Sequence, residues 1–173
     1  SENWHGFQDL SKFKLNFLQL KLLKIAFKKS NCICPVSQQL KEGMINGGFK
    51  ANFKVIPNVV NTDLFNISDS REIKDFTFIH ISTLDDSIKN VSGIIKAFSN
   101  INSEECKLKI IGDGDNNWIF KIISELNLED RVTVEGEKTY DQIASAIKDA
   151  HVFVLFSNIE NLPLVLIESL STG

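Results

Sequence analysis

The segment FTFIHISTLDDSIKNVSGIIKAFSNINSEECKLKIIG, residues 76–112, decides the fold. It opens with a β-branched and aromatic run (76–82) and passes through a helical pattern over 89–100 that carries Ile94, Ile95 and Phe98. It closes on a second apolar run, KLKIIG (107–112). Strand, helix and strand in that order predict a βαβ unit with parallel strands. The same alternation continues toward the C-terminus. A helix is expected over 116–127, a strand at RVTVEG (131–136), and a helix over 139–150 with Thr139 as its N-cap. A strand follows at HVFVLFS (151–157), then a helix from Leu162 with Pro163 near its first turn. Four strand-then-helix units in a row predict an α/β fold, a Rossmann-like parallel sheet with flanking helices. The near-continuous apolar strands agree, since parallel strands are buried on both faces.

Working back toward the N-terminus, the regular alternation stops. Residues 59–75, VVNTDLFNISDSREIKD, read as a polar linker, and FKVIPN (53–58) reads as a strand stopped at Pro57. A short helix is expected over 38–45, closed by Gly47 and Gly48, and a short strand over 31–37 ending at Pro35. Residues 10–29 form one helical pattern, with Leu10, Phe13, Phe17 and Leu20 along one side. The same stretch holds Lys12, Lys14, Lys21, Lys24, Lys28 and Lys29 and no acid.

Composition narrows the classes. Apolar residues make up 43% and charged residues 24%, the balance of a soluble globular chain. A formal net charge of -3 gives no global field to recruit nucleic acid. No apolar run is long enough to cross a bilayer, and no signal peptide is visible. The three cysteines form no C-x-x-C pair and read as small buried apolar residues, in keeping with a reducing compartment.

In a parallel sheet, ligands bind beyond the carboxyl ends of the strands. Those ends carry Ser82 and Thr83, then Gly112 to Gly114, then Gly136 and Glu137, then Ser157 and Asn158. The last stretch, SNIENLPLVLIESLSTG (157–173), places Glu160 just before a helix and Glu168 about two turns along it. The helix start is a ready diphosphate site, and a carboxylate beside it accepts bonds from vicinal sugar hydroxyls. The same spacing also fits an ordinary acid complementing the helix dipole at Glu160 and a solvent-facing Glu168. Lys89 follows a strand end and opens a helix, within reach of a phosphate; a solvated loop lysine fits equally. GDGD at 112–115 is a tight turn whose glycines admit a ligand's close approach or simply make the turn. It is not the G-x-G-x-x-G fingerprint, and no Walker A motif, G-x-S-x-G elbow, H-E-x-x-H helix or metal-ligand cluster is present. His80 and His151 read as structural, and His5 has no reading.

Taken in order, these segments resemble the group 1 glycosyltransferases (family 4, retaining, GT-B fold). ICPVSQQLKEGM looks like the end of the acceptor domain, and VIPNVVNTDLF like the hinge I-P-N-G-V-D-x-x-x-F. HISTLDDSIKN is similar to the first phosphate-binding loop, and LKIIGDGDNN to the next strand and turn. LEDRVTVEG resembles the strand beside the nucleoside base, and SNIENLPLVLIESLSTG the Glu-(x)7-Glu signature. The resemblance implies half of a GT-B fold. Residues 1–58 would be the acceptor-domain tail and hinge, and 59–173 the nucleotide-sugar-binding domain, incomplete at its C-terminus. It implies Glu168 on the ribose hydroxyls and Glu160 on the transferred sugar. Lys89, with Gly112 and the loop bearing Thr83, would meet the diphosphate, as would backbone around Leu162, Leu164 and Val165. Glu137 and Lys138 would meet the base. Three positions depart from the family pattern. Thr83 stands where the family has arginine, Asn161 where it has glycine after the first Glu, and Val59 where the hinge has glycine.

The resemblance further implies transfer of a sugar, with retention and without a metal or other cofactor, from a nucleotide-diphosphate donor to a glycan or lipid-linked acceptor. Lys89 and Glu160 would carry the catalysis in a cytoplasmic enzyme of polysaccharide assembly, of which this chain alone would be inactive. A non-catalytic sugar-nucleotide-binding module, or another GT-B enzyme such as an epimerase, are the alternatives. The lysine-rich helix over 10–29 suggests peripheral contact with the inner membrane face; packing within the acceptor domain is its alternative.

Overall fold

The computed structural model describes residues 16–67, 75–160 and 162–173. The chain divides into two compact units. The first runs to Val59 and includes Glu160–Pro163; the second comprises Val60–Ile159 and Leu164–Gly173.

In the first unit, helix α1 (Phe17–Lys29) starts at a capping box in which the Asn16 side chain and Gln19 exchange hydrogen bonds. The residues expected to extend this helix toward Leu10 lie outside the described segment. Helix α2 (Gln38–Asn46) is capped by the Ser37 hydroxyl and ends at Gly47, with Gly48 at φ 78°. Phe27, Leu40, Met44 and Phe49 form the small core. The two expected strands here reduce to one parallel bridge between Ile33 and Phe53. Ile33 bonds Asn52 and Lys54, and Pro35 O accepts from Ile56 N. The next rung needs an N–H at residue 35, which proline lacks, so the ladder stops.

The second unit follows the predicted alternation: β1 (Phe76–Ile81), α3 (Asp86–Lys89), α4 (Val91–Ser99), β2 (Cys106–Ile111) and α5 (Asn117–Glu125) come first. β3 (Val132–Glu135), α6 (Tyr140–Lys148), β4 (Val152–Phe153) and α7 (Leu164–Ser171) complete it. All strand pairs are parallel, in the order β3-β2-β1-β4, with Phe76 opposite Cys106 and Leu108 opposite Val132. Alternation along the strands builds two cores. Leu108 and Ile110 pack with Ile94, Ile95, Phe98, Ile119 and Ile123 of α4 and α5. Ile79, Ile81 and Ile111 pack with Ala144 and Ile147 of α6 and with Phe65.

Five further expectations need correction. The helix expected over 89–100 is broken at Asn90, whose left-handed backbone (φ 52°, ψ 43°) ends α3 and starts α4; Lys89 therefore closes a helix rather than opening one. The strand expected over 151–157 has a two-residue ladder, and α7 begins at Leu164, not Leu162. The polar linker hides an apolar anchor: Phe65 is fully buried, with Val60 and Leu64 against the same core. Cys32 and Cys34 are exposed and Cys106 is half-buried, because the two thiols project from an extended segment whose inward residue is Ile33.

Candidate functional site

The sheet order creates a switch point. The chain proceeds from β1 outward to β2 and β3, then returns to place β4 on the other side of β1. The crossovers diverge at the carboxyl ends of β1 and β4, the position at which an open parallel sheet takes a ligand.

The loop after β1 is fixed on several sides. Leu84 N donates to Asp113 O at 2.9 Å, which joins it to the loop after β2. Gly112 is required at this junction, since a Cβ there would lie 2.0 Å from Ser82 O. The Asp85 carboxylate caps α3 through Ser87 N at 3.0 Å. Asn90 makes no side-chain cap for α4, and Asp86 does so instead, accepting from Ser92 N at 2.7 Å and Ser92 Oγ at 2.8 Å. Across the switch point, Asn158 donates its backbone N–H to Ile88 O at 2.8 Å and its side-chain amide to Ser87 O at 3.1 Å. Lys89, half-buried, directly follows this clasp. Thr83 is exposed in the same loop.

His80, fully buried on β1, reinforces the junction. Its Nδ1 donates to Val154 O at 2.9 Å, since a carbonyl only accepts, and its Nε2 lies 2.8 Å from Ser82 Oγ. The imidazole thus holds the carbonyl that follows the short β4 ladder. His151 is structural as well, its Nδ1 accepting from Thr77 N at 3.0 Å and its ring stacked on Phe76.

Glu168, in the second turn of α7, is 3% exposed, which excludes the solvent-facing alternative. Tyr140, the first residue of α6, donates its hydroxyl to Glu168 Oε1 at 2.8 Å. Both helices start at carboxyl ends of strands, so this pair lies on the ligand side of the sheet. Burial pushes the Glu168 carboxyl above its ordinary range, and the Tyr140 bond acts the other way. The Tyr140 phenol is pushed up to about 12, first by burial and then by its bond to Glu168 and that group's charge. Although 46% of Tyr140 is exposed, its hydroxyl end reaches the buried carboxyl, and its ring packs edge-on against Phe65 at 5.1 Å. The Phe65 carbonyl in turn accepts from Ser171 Oγ at 2.7 Å.

On the β3 side, Glu137 is exposed, while Lys138 is drawn to Glu135 at 3.0 Å, with Lys109 on the other carboxylate oxygen at 3.4 Å. Lys138 first, and then Lys109, hold the Glu135 carboxyl below its usual value. Leu164 and Val165 form the first turn of α7. Glu160 and Leu162 fold with the first unit, where Leu162 O accepts from the Asn58 side chain at 3.0 Å. The second unit thus places Thr83 beside the Gly112 turn, with Lys89 at the end of α3, which follows the same loop, and separately sets Glu168 in the second turn of α7. The sequence marks Asn158 only as a strand-end residue and does not single out Tyr140. A helix-opening tyrosine and a loop asparagine have many ordinary roles, and only their partners mark them. Among the described residues, no cluster suited to a metal ion occurs, and no helix is long and apolar enough to cross a membrane.

A family model described as "Glycosyl transferases group 1" matches residues 63–173. N-acetyl-alpha-D-glucosaminyl L-malate synthase of Bacillus anthracis is 32% identical over 111 residues, covering 63% of this chain and 27% of that protein. Lipopolysaccharide 1,6-galactosyltransferase of Escherichia coli (strain K12) is 29% identical over 143 residues, covering 80% and 40%. Among solved structures, HepE of Anabaena, in complex with UDP and glucose, superposes with a TM-score of 0.79. That match covers 96% of this chain and 49% of that one at 21% identity, and it shows the fold. The chain spans less than half the length of each of these relatives.

Proposed function

Because the chain belongs to the group 1 glycosyl transferases and carries half of a GT-B fold, we propose that it is the donor-binding part of an enzyme that moves a sugar from a nucleotide diphosphate to a glycan or lipid-linked acceptor. The observation that carries this reading is the buried Glu168 carboxyl on the ligand side of the parallel sheet, with one oxygen held by Tyr140. A carboxylate there accepts hydrogen bonds from two adjacent ribose hydroxyls and would repel a phosphate. The diphosphate falls to Lys89, steadied by the Asn158 clasp, and to the backbone N–H groups of Leu164 and Val165. These groups would stabilise the negative charge that grows on the leaving phosphate, with no metal and with retention at the sugar. Glu137 and Lys138 are assigned to the base, and Glu160 to the transferred sugar, on the family resemblance alone. We place the enzyme in the cytoplasm, peripheral to the membrane.

A thermal-shift panel with UDP, GDP, ADP and their sugars, run on the chain and on its Lys89→Ala and Glu168→Ala variants, tests this. A nucleotide at about a hundred times its Kd stabilises the fold by about 2.7 kcal/mol. One nucleotide class should shift the parent chain, and both substitutions should abolish the shift. A shift that survives Glu168→Ala refutes the ribose assignment. In the whole protein, donor binding without acceptor-dependent release of nucleoside diphosphate would favour a non-catalytic module, a reading to which Thr83 in place of an arginine lends weight.

A further inference from the structure

We propose that Cys32 and Cys34 are a two-thiol redox site, which closes to an intrachain disulfide by exchange with a small disulfide such as glutathione disulfide. The proposal is independent of the glycosyltransferase reading. Both thiols are exposed, and their sulfurs lie 3.8 Å apart. Residues two apart in an extended segment face the same way. Here the residue between them, Ile33, packs inward against the first unit's core. Its N–H and C=O are held at 2.9 Å and 3.0 Å by Asn52 and Lys54. The backbone is therefore clamped with both sulfurs outward, and closure shortens their separation from 3.8 Å to about 2.0 Å.

The two thiols share a hydrogen bond, which with desolvation pushes the Cys34 thiol up. In the proposed exchange Cys32 is the first to attack. The Cys32 thiolate attacks one sulfur of the small disulfide, forming a mixed disulfide and releasing one small thiolate. Cys34 then gives its proton to solvent, and its sulfur attacks Cys32 Sγ, expelling the second small thiolate. The two protein thiols are oxidised to one disulfide, and the small disulfide is reduced to two thiols. Lys54 lies close enough for its charge to favour the attacking thiolate of Cys34. Cys106, half-buried on β2, serves as an internal control.

The test is to equilibrate the 173-residue chain with reduced and oxidised glutathione, alkylate, and read the mass. The expected product has lost two hydrogens, is alkylated at Cys106 alone, and reverts with dithiothreitol. Cys32→Ser and Cys34→Ser should each hold a glutathione adduct instead. Neighbours in sequence also close in an unfolded chain, so the same equilibrium is measured in guanidinium chloride. The clamped backbone should raise the effective concentration of one thiol at the other by about tenfold or more over the denatured value. A native value at or below the denatured one overturns the proposal, as do stable glutathione adducts at Cys32 or Cys34 of the unsubstituted chain.

Discussion

Glu168 has a protonation state that the fold itself disturbs, and this makes the candidate site measurable before any substrate is known. Its carboxyl is raised above the ordinary value of 4.5 by burial. A carboxyl raised in the folded state favours folding while it is protonated. Its contribution is therefore full below the unfolded value and is lost as pH rises through the folded one. Glu168→Gln keeps the shape and an acceptor for Tyr140 but cannot ionise. Urea unfolding from about pH 4 to about pH 8 should show wild type losing stability relative to Glu168→Gln as pH rises. A difference that stays flat with pH would mean that the carboxyl is not buried as described. Ribose hydroxyls donate to the ionised form, so nucleotide affinity should weaken as pH falls through the raised value, and only in the chain that retains Glu168.

Between residues and sheet stand the two short helices after β1. α3 has only four residues and no buried side chain, so packing does not hold it. Caps and cross-loop bonds hold it instead: Asp85 at its start, Asp86 onto Ser92 of α4, and Asn158 onto the carbonyls of Ser87 and Ile88. Asp86→Ala removes a carboxylate cap from α4, which costs about 1 kcal/mol of stability. It also frees the connection that carries Lys89. Donor affinity should fall by more than the stability loss explains, because the lysine is no longer held at the switch point. Calorimetry at a temperature where both proteins remain folded separates the two effects. Unchanged affinity in Asp86→Ala would show that the caps serve folding alone.

At the scale of the whole chain, α1 has apolar residues on two sides. Leu20, Leu23 and Phe27 face the first unit's core, while Phe17 and Leu18 are 83% and 64% exposed. Lys21, Lys24, Lys28 and Lys29 lie on the same helix, and it has no acid. That pattern supports the peripheral membrane reading, since apolar insertion and attraction to anionic lipid act together. Co-sedimentation with phosphatidylglycerol vesicles should exceed that with phosphatidylcholine vesicles and fall with added salt. Equal binding to both, or none, would remove the membrane from the proposed setting. The sequence alone determined the parallel sheet, because apolar strands alternating with amphipathic helices leave few other ways to bury both faces. It also carried the motif order that marks the family. Tertiary structure decided the rest: the break at Asn90, the burial of Phe65 and Glu168, the clasp by Asn158, and the exposure of Cys32 and Cys34. The burials, the clasp and the outward thiols depend on contacts between residues apart in the chain. The break at Asn90 depends on a left-handed backbone turn, and local periodicity carries no record of either.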